Sequence, residues 1–248
     1  MQRVPRLHSA SLGMTEQIFG TLQVCHDICP HAAAMNMAID EALLESATIP
    51  LIRFYRWRSC ALSFGYFGRF SDVAIHAAER DLVRRWTGGG IVLHGDDITY
   101  SIMIPVSDPV FSESSIWIYE KIHRALVDAL NGVGGRAVVA ADVDLGRIAL
   151  AKHAAVSTSG YNCFANPVRA DVMMDGRKIA GAAQRRTRRG LLQQGSIQGF
   201  LMKTDLAQKF SQALSASCHE FEMNEEIFQR AGELAQQKYG TDSWLRRR

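Results

Sequence analysis

The sequence lacks any apolar run of the roughly 20 residues that a membrane-spanning helix needs. Its N-terminus also lacks the apolar core of a secretory signal, and it contains no internal repeat or low-complexity segment. The first residues hold arginine and serine without an acidic residue before position 16, so we expect residues 1–20 to be a loose leader. We therefore predict a cytoplasmic globular protein with no membrane partner.

The sequence also lacks a large excess of charge of either sign. The 28 basic residues exceed the 25 acidic ones by three, and a net charge of +3 does not indicate a nucleic-acid partner. Part of the excess lies in the run RRTRR at residues 185–189. Such a run is typical of a solvated surface, and it would also suit an acidic partner protein by electrostatic steering.

The five cysteines show no paired metal-binding spacing. Cys25 and Cys29 are four apart, but no second Cys/His pair completes a zinc site, and we predict no metal. An odd number leaves at least one free thiol. The dinucleotide pattern GxGxxG and the phosphate-loop pattern GxxxxGK[ST] are absent too.

The remaining pattern predicts alternating strands and helices in one α+β domain over residues 21–248, with no accessory domain at its C-terminal end. Helical spacing predicts an amphipathic helix over residues 31–47 and a short helix over residues 72–82, with Asp72 as its cap. Residues 51–67 are predicted to form a hairpin with a turn near Arg58 and Ser59. Further predicted elements are a strand ending near Pro105, a helix over 114–132, a hairpin turning at Asp175-Gly176, a strand in LLQQGSI, and two helices after Thr204.

Three consecutive glycines, Gly88, Gly89 and Gly90, require an explanation because glycine loses the most backbone freedom on folding. A glycine run alone is typical of a tight turn. It also lets a ligand approach the main chain closely, and the flanking polar side chains favour that interpretation. These flanking residues are Arg84, Arg85, Thr87 and His94.

Lys178 lies in a segment whose alternation predicts a strand, with apolar Ile179 on the opposite face. This placement would hold its amine in a cleft, although a lone lysine beside a turn is usually exposed. The small residues Gly181 and Ala182 leave room for a bound group beside the strand.

Cys163 lies in a loop rich in Gly, Asn and Pro, close in sequence to Lys178. A neighbouring cation favours the thiolate, which is the nucleophilic form. A buried structural cysteine is the commonest alternative.

Four segments, in order, resemble the lipoate-protein ligase A family and its cysteine octanoyltransferase relatives. They are NMAIDEALL, IRFYRWRSCALSFGYF, RRWTGGGIVLHGDDITYSI and GRKIAGAAQRR with LLQQGSI, between residues 36 and 200. The resemblance implies a mixed, mainly antiparallel sheet flanked by helices, the catalytic-domain fold of biotin and lipoate protein ligases. It also implies a tunnel for an eight-carbon acyl chain.

The resemblance assigns roles to the motif residues. The catalytic residues are expected to be Cys163, as the nucleophile, and Lys178, which contacts the acyl carbonyl or the adenylate phosphate. The substrate-binding residues are expected to be Arg84, Arg85, Thr87, Gly88, Gly89, Gly90, His94, Gly181 and Ala182. Two positions depart from the pattern: Gln194 stands where many relatives have His, and GAA replaces the usual GSA.

Two enzymes share these motifs. A transferase passes octanoyl from acyl carrier protein, through a cysteine thioester, to a lysine of lipoyl-domain proteins such as the glycine cleavage H protein and E2 subunits, with no cofactor. A ligase activates lipoate with ATP and Mg. We favour the transferase; the alternatives are a ligase core that needs a separate accessory domain and a non-catalytic protein that binds acyl groups or lipoyl domains.

Overall fold

The computed structural model of the chain describes residues 17–142, 168–199 and 205–247. In chain order the strands are β1 (Leu22–His26), β2 (Leu51–Tyr55), β3 (Ala61–Phe64), β4 (Asp81–Arg84), β5 (Val92–His94), β6 (Ile98–Pro105), β7 (Ala137–Val139), β8 (Val172–Met174), β9 (Arg177–Arg186), β10 (Gly190–Ile197) and β11 (Cys218–Glu220). The helices are α1 (Ala33–Ser46), α2 (Ser115–Gly132), α3 (Leu206–Leu214), α4 (Glu225–Leu234) and α5 (Asp242–Leu245). A π-helical segment, Ala235–Tyr239, continues α4.

Two sheets organise these strands. The larger has the order β11-β1-β2-β6-β10-β9-β8-β7, and the smaller has the order β4-β3-β5. The β11–β1 and β1–β2 pairs are parallel, whereas the other five pairs of the larger sheet are antiparallel. The predicted mixed, mainly antiparallel sheet flanked by helices is confirmed.

Strict alternation in β6 gives the larger sheet two different faces. Ile98, Tyr100, Ile102 and Ile104 point to an apolar core shared with α2 and α3. Thr99 and the other odd-numbered residues point to the opposite side, where α1 and α4 pack. Because successive side chains of a strand face opposite sides, one strand serves both layers.

Two secondary-structure predictions were wrong. The turn near Arg58 and Ser59 does not close a hairpin, because β2 lies in the larger sheet and β3 in the smaller. The segment predicted as a helix over residues 72–82 instead forms the end of one 3-10 turn, Phe70–Asp72, then a second, Ala74–His76, and the start of β4. Val73 is the one buried residue of 72–82, so the segment has no apolar stripe to support a helix.

The helix predicted over residues 31–47, the helix over 114–132 and the hairpin at Asp175-Gly176 all form, with adjusted bounds. Helix α1 is not amphipathic in the expected sense, because ten of its fourteen residues are buried, polar ones included. Helix α2 begins after Ser114, whose side chain accepts a hydrogen bond from the Trp117 backbone N–H. The Asp175-Gly176 turn joins β8 to β9 with positive φ at both residues, as that hairpin type requires. Within the described residues, no helix combines the length and apolarity needed to cross a membrane.

Candidate acyl-group site

One face of the larger sheet carries buried polar side chains where a core would normally be apolar. They are Arg53 and Tyr55 on β2, Thr99 and Ser101 on β6, and Gln194 and Ser196 on β10. Buried polar groups need hydrogen-bond partners to offset lost hydration. Helix α1 supplies several of these partners, and the loop residues Asp27, Trp57, Thr87 and Asp97 supply the others.

Arg53 is the centre of the first polar cluster and is fully buried. Its Nη1 donates to Asp40 Oδ1 at 2.7 Å, and its Nη2 donates to Asp27 Oδ2 at 2.6 Å and to Asn36 Oδ1 at 2.7 Å. Burial alone would raise the pKa of Asp27, but the hydrogen bond from His31 and the charge of Arg53 lower it. The cluster therefore ties β1, α1 and β2 together with ionised groups.

Gln194 links this cluster to the glycine run. Its Nε2 donates to Asp40 Oδ2 at 2.7 Å, and its Oε1 accepts from Thr87 Oγ1 at 2.7 Å. A side-chain amide can donate and accept at once. Gln194 therefore holds the loop through Thr87, although its residue type departs from the family pattern.

Arg85 fixes the shape of the glycine run through hydrogen bonds to its backbone carbonyls. Its Nη2 donates to the carbonyls of Gly88, at 3.0 Å, and Gly90, at 2.8 Å, and its Nη1 donates to Ser63 Oγ at 2.7 Å. Gly89 has a φ of 83°, which a residue with a Cβ rarely adopts, and it packs against β9. Arg85 therefore gives the glycine run a defined shape, and the ligand-binding role of the run stays a prediction.

His94 belongs to a second polar cluster beside the run. Its Nδ1 lies 2.8 Å from Asp97 Oδ2, and its Nε2 lies 2.6 Å from Ser63 Oγ. The Trp57 ring stacks on the imidazole with centroids 4.0 Å apart. Burial lowers the pKa of His94 despite the opposing effect of Asp97, so the ring is neutral at pH 7.

Arg84 points away from this cluster. Its fully buried guanidinium donates to the backbone carbonyls of Trp244 at 2.9 Å, Leu245 at 2.9 Å and Arg247 at 2.8 Å, and to those of Tyr66 and Gly68. The two adjacent arginines thus act on opposite sides of β4: Arg85 contacts the glycine run, and Arg84 anchors the segment that follows the π helix.

Lys178 lies inside the protein, as the strand pattern indicated. Its side chain is 3% exposed, and its Nζ lies 2.7 Å from Oδ2 of the fully buried Asp171. The Tyr119 hydroxyl donates to Asp171 Oδ1 at 2.7 Å and accepts from the Ala182 backbone N–H at 3.0 Å. Burial, together with the charge of Asp171, raises the pKa of Tyr119, so this hydroxyl keeps its proton and donates.

A cavity lies between the glycine run and β9. From the sequence-derived set, Arg85, Gly89, His94, Gly181 and Ala182 line it. The lining also includes Gln194, which the sequence analysis noted as a departure from the family pattern, and the polar residues Tyr55, Ser63, Thr99 and Ser196, which it missed. Their period-two spacing on buried strands was the available signal. Cys163 lies outside the described residues.

The other predicted site residues within the described part of the chain do not line the cavity. Thr87, Gly88 and Gly90 shape the loop, Lys178 lies behind Gly181, and Arg84 faces the C-terminal segment. Their substrate-binding and catalytic roles remain predictions. Across the described segments, no group of three or more His, Cys, Asp or Glu side chains could hold a metal ion.

The arrangement of the sheets is the fold of the lipoate-protein ligases. Lipoate-protein ligase A bound with ATP has a TM-score of 0.69 and 21% identity, covering 92% of this chain and 98% of that structure. A bipartite lipoate protein ligase from Thermoplasma acidophilum, studied with its E2 lipoyl domain, has a TM-score of 0.67 and 20% identity, covering 91% and 96%. At these identities the likeness establishes the fold alone.

Sequence comparison assigns the family. The chain belongs to the lipoyl protein ligase A/B catalytic domain family, whose model matches residues 32–233. It is 40% identical over 177 residues to the octanoyltransferase LipM of Oceanobacillus iheyensis and 34% identical over 172 residues to that of Bacillus subtilis. The alignments cover 68% and 66% of this chain and 60% of each relative, so the chain spans about three fifths of their length.

Proposed function

We propose that this protein is a cysteine octanoyltransferase that serves protein lipoylation. It would take an octanoyl group from acyl carrier protein as a thioester on Cys163 and pass it to a lysine of a lipoyl-domain protein. The observation that carries the proposal is the buried Lys178–Asp171 pair behind a cavity lined by small residues, in a chain 34–40% identical to LipM octanoyltransferases.

The chemistry needs two acyl transfers. In the first, the Cys163 thiolate attacks the carbonyl carbon of the donor thioester, and the carrier sulfur leaves as a thiolate. In the second, a neutral lipoyl-domain lysine amine attacks the new thioester, an amide forms, Cys163 leaves as thiolate, and the proton lost by the amine passes to solvent. Each attack places negative charge on the carbonyl oxygen. The Lys178 ammonium, held in a dry site by Asp171, would stabilise that charge.

Part of the cavity wall is formed by small residues, against which an acyl chain could lie. Gly181, Ala182 and Gly89 present little more than backbone, which lets a linear chain lie close to the strand and the loop. Each buried methylene contributes about 0.8 kcal/mol. No step of this scheme requires ATP.

Two of the four arginines in the basic run at residues 185–189, Arg185 and Arg186 at the end of β9, make contacts within the protein. The Arg185 guanidinium lies 4.9 Å from the centre of the Tyr66 ring, and Arg186 donates to the carbonyls of Phe111 and Glu113. Arg188 and Arg189 are exposed, and Arg189 Nη1 lies 3.4 Å from Glu45 Oε1. Steering of an acidic carrier protein or lipoyl domain would therefore act through these last two, and the double variant Arg188→Glu/Arg189→Glu should slow transfer and weaken its salt dependence.

An intact-mass measurement tests the proposal. Octanoyl-loaded acyl carrier protein is mixed with the wild type, with Cys163→Ala, and with Cys60→Ala as a matched control at an exposed cysteine. Without ATP, the wild type and Cys60→Ala should gain one octanoyl group, and Cys163→Ala should gain none. A lipoyl domain added afterwards should remove it.

Two other results would replace the proposal. Transfer of free lipoate only after addition of ATP and Mg would identify a ligase, and Cys163 would then have no catalytic role. Binding of acyl groups or lipoyl domains with no covalent product under either condition would identify a non-catalytic relative.

A further inference from the structure

Ser63, His94 and Asp97 form a continuous hydrogen-bonded chain on the cavity wall. Ser63 Oγ lies 2.6 Å from His94 Nε2, and His94 Nδ1 lies 2.8 Å from Asp97 Oδ2. Ser63 and His94 both line the cavity proposed to hold the acyl group. The proposed transfer through Cys163 and Lys178 uses none of these three side chains as a nucleophile or a base.

The protons of this chain can be assigned from its partners. Arg85 can only donate, so Ser63 Oγ accepts from Arg85 Nη1 at 2.7 Å and keeps its own proton for another bond. Although burial opposes it, the hydrogen bonds of His94 and Ser196 lower the pKa of Asp97, which therefore accepts the Nδ1 proton of His94. The neutral imidazole then has its lone pair on Nε2, and the Ser63 hydroxyl must donate to it.

This direction is the one that activates a serine. A hydroxyl that donates to an imidazole, which donates in turn to a buried carboxylate, can lose its proton as it attacks a carbonyl. The neighbouring Arg85 cation favours negative charge at the same oxygen. Asp97 also accepts from Thr99 at 2.9 Å and Ser196 at 2.7 Å, so the carboxylate is rigidly held.

We propose that Ser63 is a second acyl-accepting nucleophile, activated by His94 and Asp97, which takes acyl groups from activated esters or thioesters in the cavity. Ser63 Oγ attacks the carbonyl carbon, and its proton passes to His94 Nε2. The tetrahedral intermediate then expels the alcohol or thiol, which takes the proton from His94, and an ester remains on Ser63. The idea rests on the proposed acyl-binding cavity but needs neither Cys163 nor a carrier protein.

The test uses full-length Cys163→Ala and p-nitrophenyl octanoate as the probe. Release of p-nitrophenolate and gain of one octanoyl group are expected, and peptide mapping should place the group on Ser63. The bond should survive neutral hydroxylamine and break in alkaline hydroxylamine, as an oxygen ester does. A thioester on the exposed Cys29 or Cys60 breaks under the neutral treatment, and an amide on Lys178 survives both.

Variants in the Cys163→Ala background decide the assignment. Adding Ser63→Ala should abolish the ester, and adding Asp97→Asn should slow its formation by roughly a hundredfold, as loss of an oriented general base does. Adding Ser211→Ala removes a buried serine hydroxyl on α3, which bonds the Ala207 carbonyl and not His94, and should leave the ester yield unchanged. Thermal melts confirm that each variant is folded.

Two outcomes would overturn the inference. One is the absence of any oxygen ester in folded Cys163→Ala, and the other is an ester that persists after Ser63→Ala. Adding Ser63→Cys supplies an independent check, because the adduct should then become labile to neutral hydroxylamine while remaining at position 63. Failure of the octanoyl-carrier experiment with an ester still formed on Ser63 would reject the transferase proposal alone.

Discussion

Lys178 lies across the main chain of Gly181. A Cβ built on Gly181 would stand 2.6 Å from Lys178 Cε, 2.7 Å from its Nζ and 3.1 Å from Asp171 Oδ1. Real Cβ atoms essentially never come this close to another heavy atom, so the lysine can occupy its position only because residue 181 has no side chain.

Gly181→Ala should therefore displace Lys178 and lower the octanoyl transfer rate. We expect a loss of roughly a hundredfold, the cost of removing one group that stabilises developing charge. The control is Gly232→Ala in the interior of α4, where an added Cβ meets no atom within 4 Å. It should leave transfer unchanged and raise the free energy of unfolding by about 0.5–1 kcal/mol. Transfer at the wild-type rate in Gly181→Ala would contradict a catalytic role for Lys178.

Asp171→Asn keeps the shape of the side chain but removes the carboxylate that faces Lys178. Breaking a buried pair is expected to cost about 3–5 kcal/mol in the free energy of unfolding. Transfer should also fall, because the ammonium loses the group that orients it. Urea unfolding and the intact-mass assay measure the two effects. The control is Asp142→Asn, which weakens the more exposed pair with Arg124 and should cost about 0–1 kcal/mol.

Arg53→Met should destabilise the fold strongly. It leaves the buried carboxylates of Asp27 and Asp40 without their guanidinium, at a cost of about 3–5 kcal/mol. Urea unfolding measures this loss, and Arg124→Met, on the solvated side of α2, is the matched substitution with an expected change of about 0–1 kcal/mol. Equal midpoints for the two variants would show that the polar cluster is dispensable for stability.

Stability should fall in mild acid because of His123. Burial lowers the pKa of this histidine to about 4 from its ordinary 6.5, and its ring bonds the Ala170 carbonyl and the Tyr100 hydroxyl. Above pH 6.5 both folded and unfolded states carry a neutral ring. As the pH drops to about 4, the unfolded state takes up the proton first, and the free energy of unfolding should fall by about 3 kcal/mol from this group.

Urea unfolding between pH 7.5 and pH 4.5 measures this dependence in the wild type and in His123→Gln. The variant should show a shallower loss, because Gln does not titrate. His26→Gln, at a more exposed histidine, should reproduce the wild-type slope. The same slope in His123→Gln would assign the acid sensitivity to other groups.

Local signals predicted the fold well where one strand or helix determines its own pattern. The turn at Asp175-Gly176 and the capped start of α2 follow from a few adjacent residues. The hairpin near Arg58 failed because no local signal says that β2 and β3 belong to different sheets. The three-residue β11 was missed because it is too short to show periodicity.

The site residues likewise fall into those that a local sequence signal predicts and those that depend on distant parts of the chain. The glycine run was recognised from its three consecutive glycines, and Lys178 from its position in a strand-like alternation of residues. Asp171 and Ser63 were not, because their partners come from other strands, and strand order decides which side chains meet. The carbonyl anchor formed by Arg84 was also invisible, since Trp244 is 160 residues away along the chain.

That anchor matters for how the protein can be handled. The backbone carbonyls of Trp244, Leu245 and Arg247 surround the buried charge of Arg84, so trimming the chain before Trp244 would remove these acceptors from the guanidinium. Shortened versions for crystallisation should keep residues through Arg247. Affinity tags are better attached at the N-terminal side, where they cannot disturb the hydrogen bonds between Arg84 and these carbonyls.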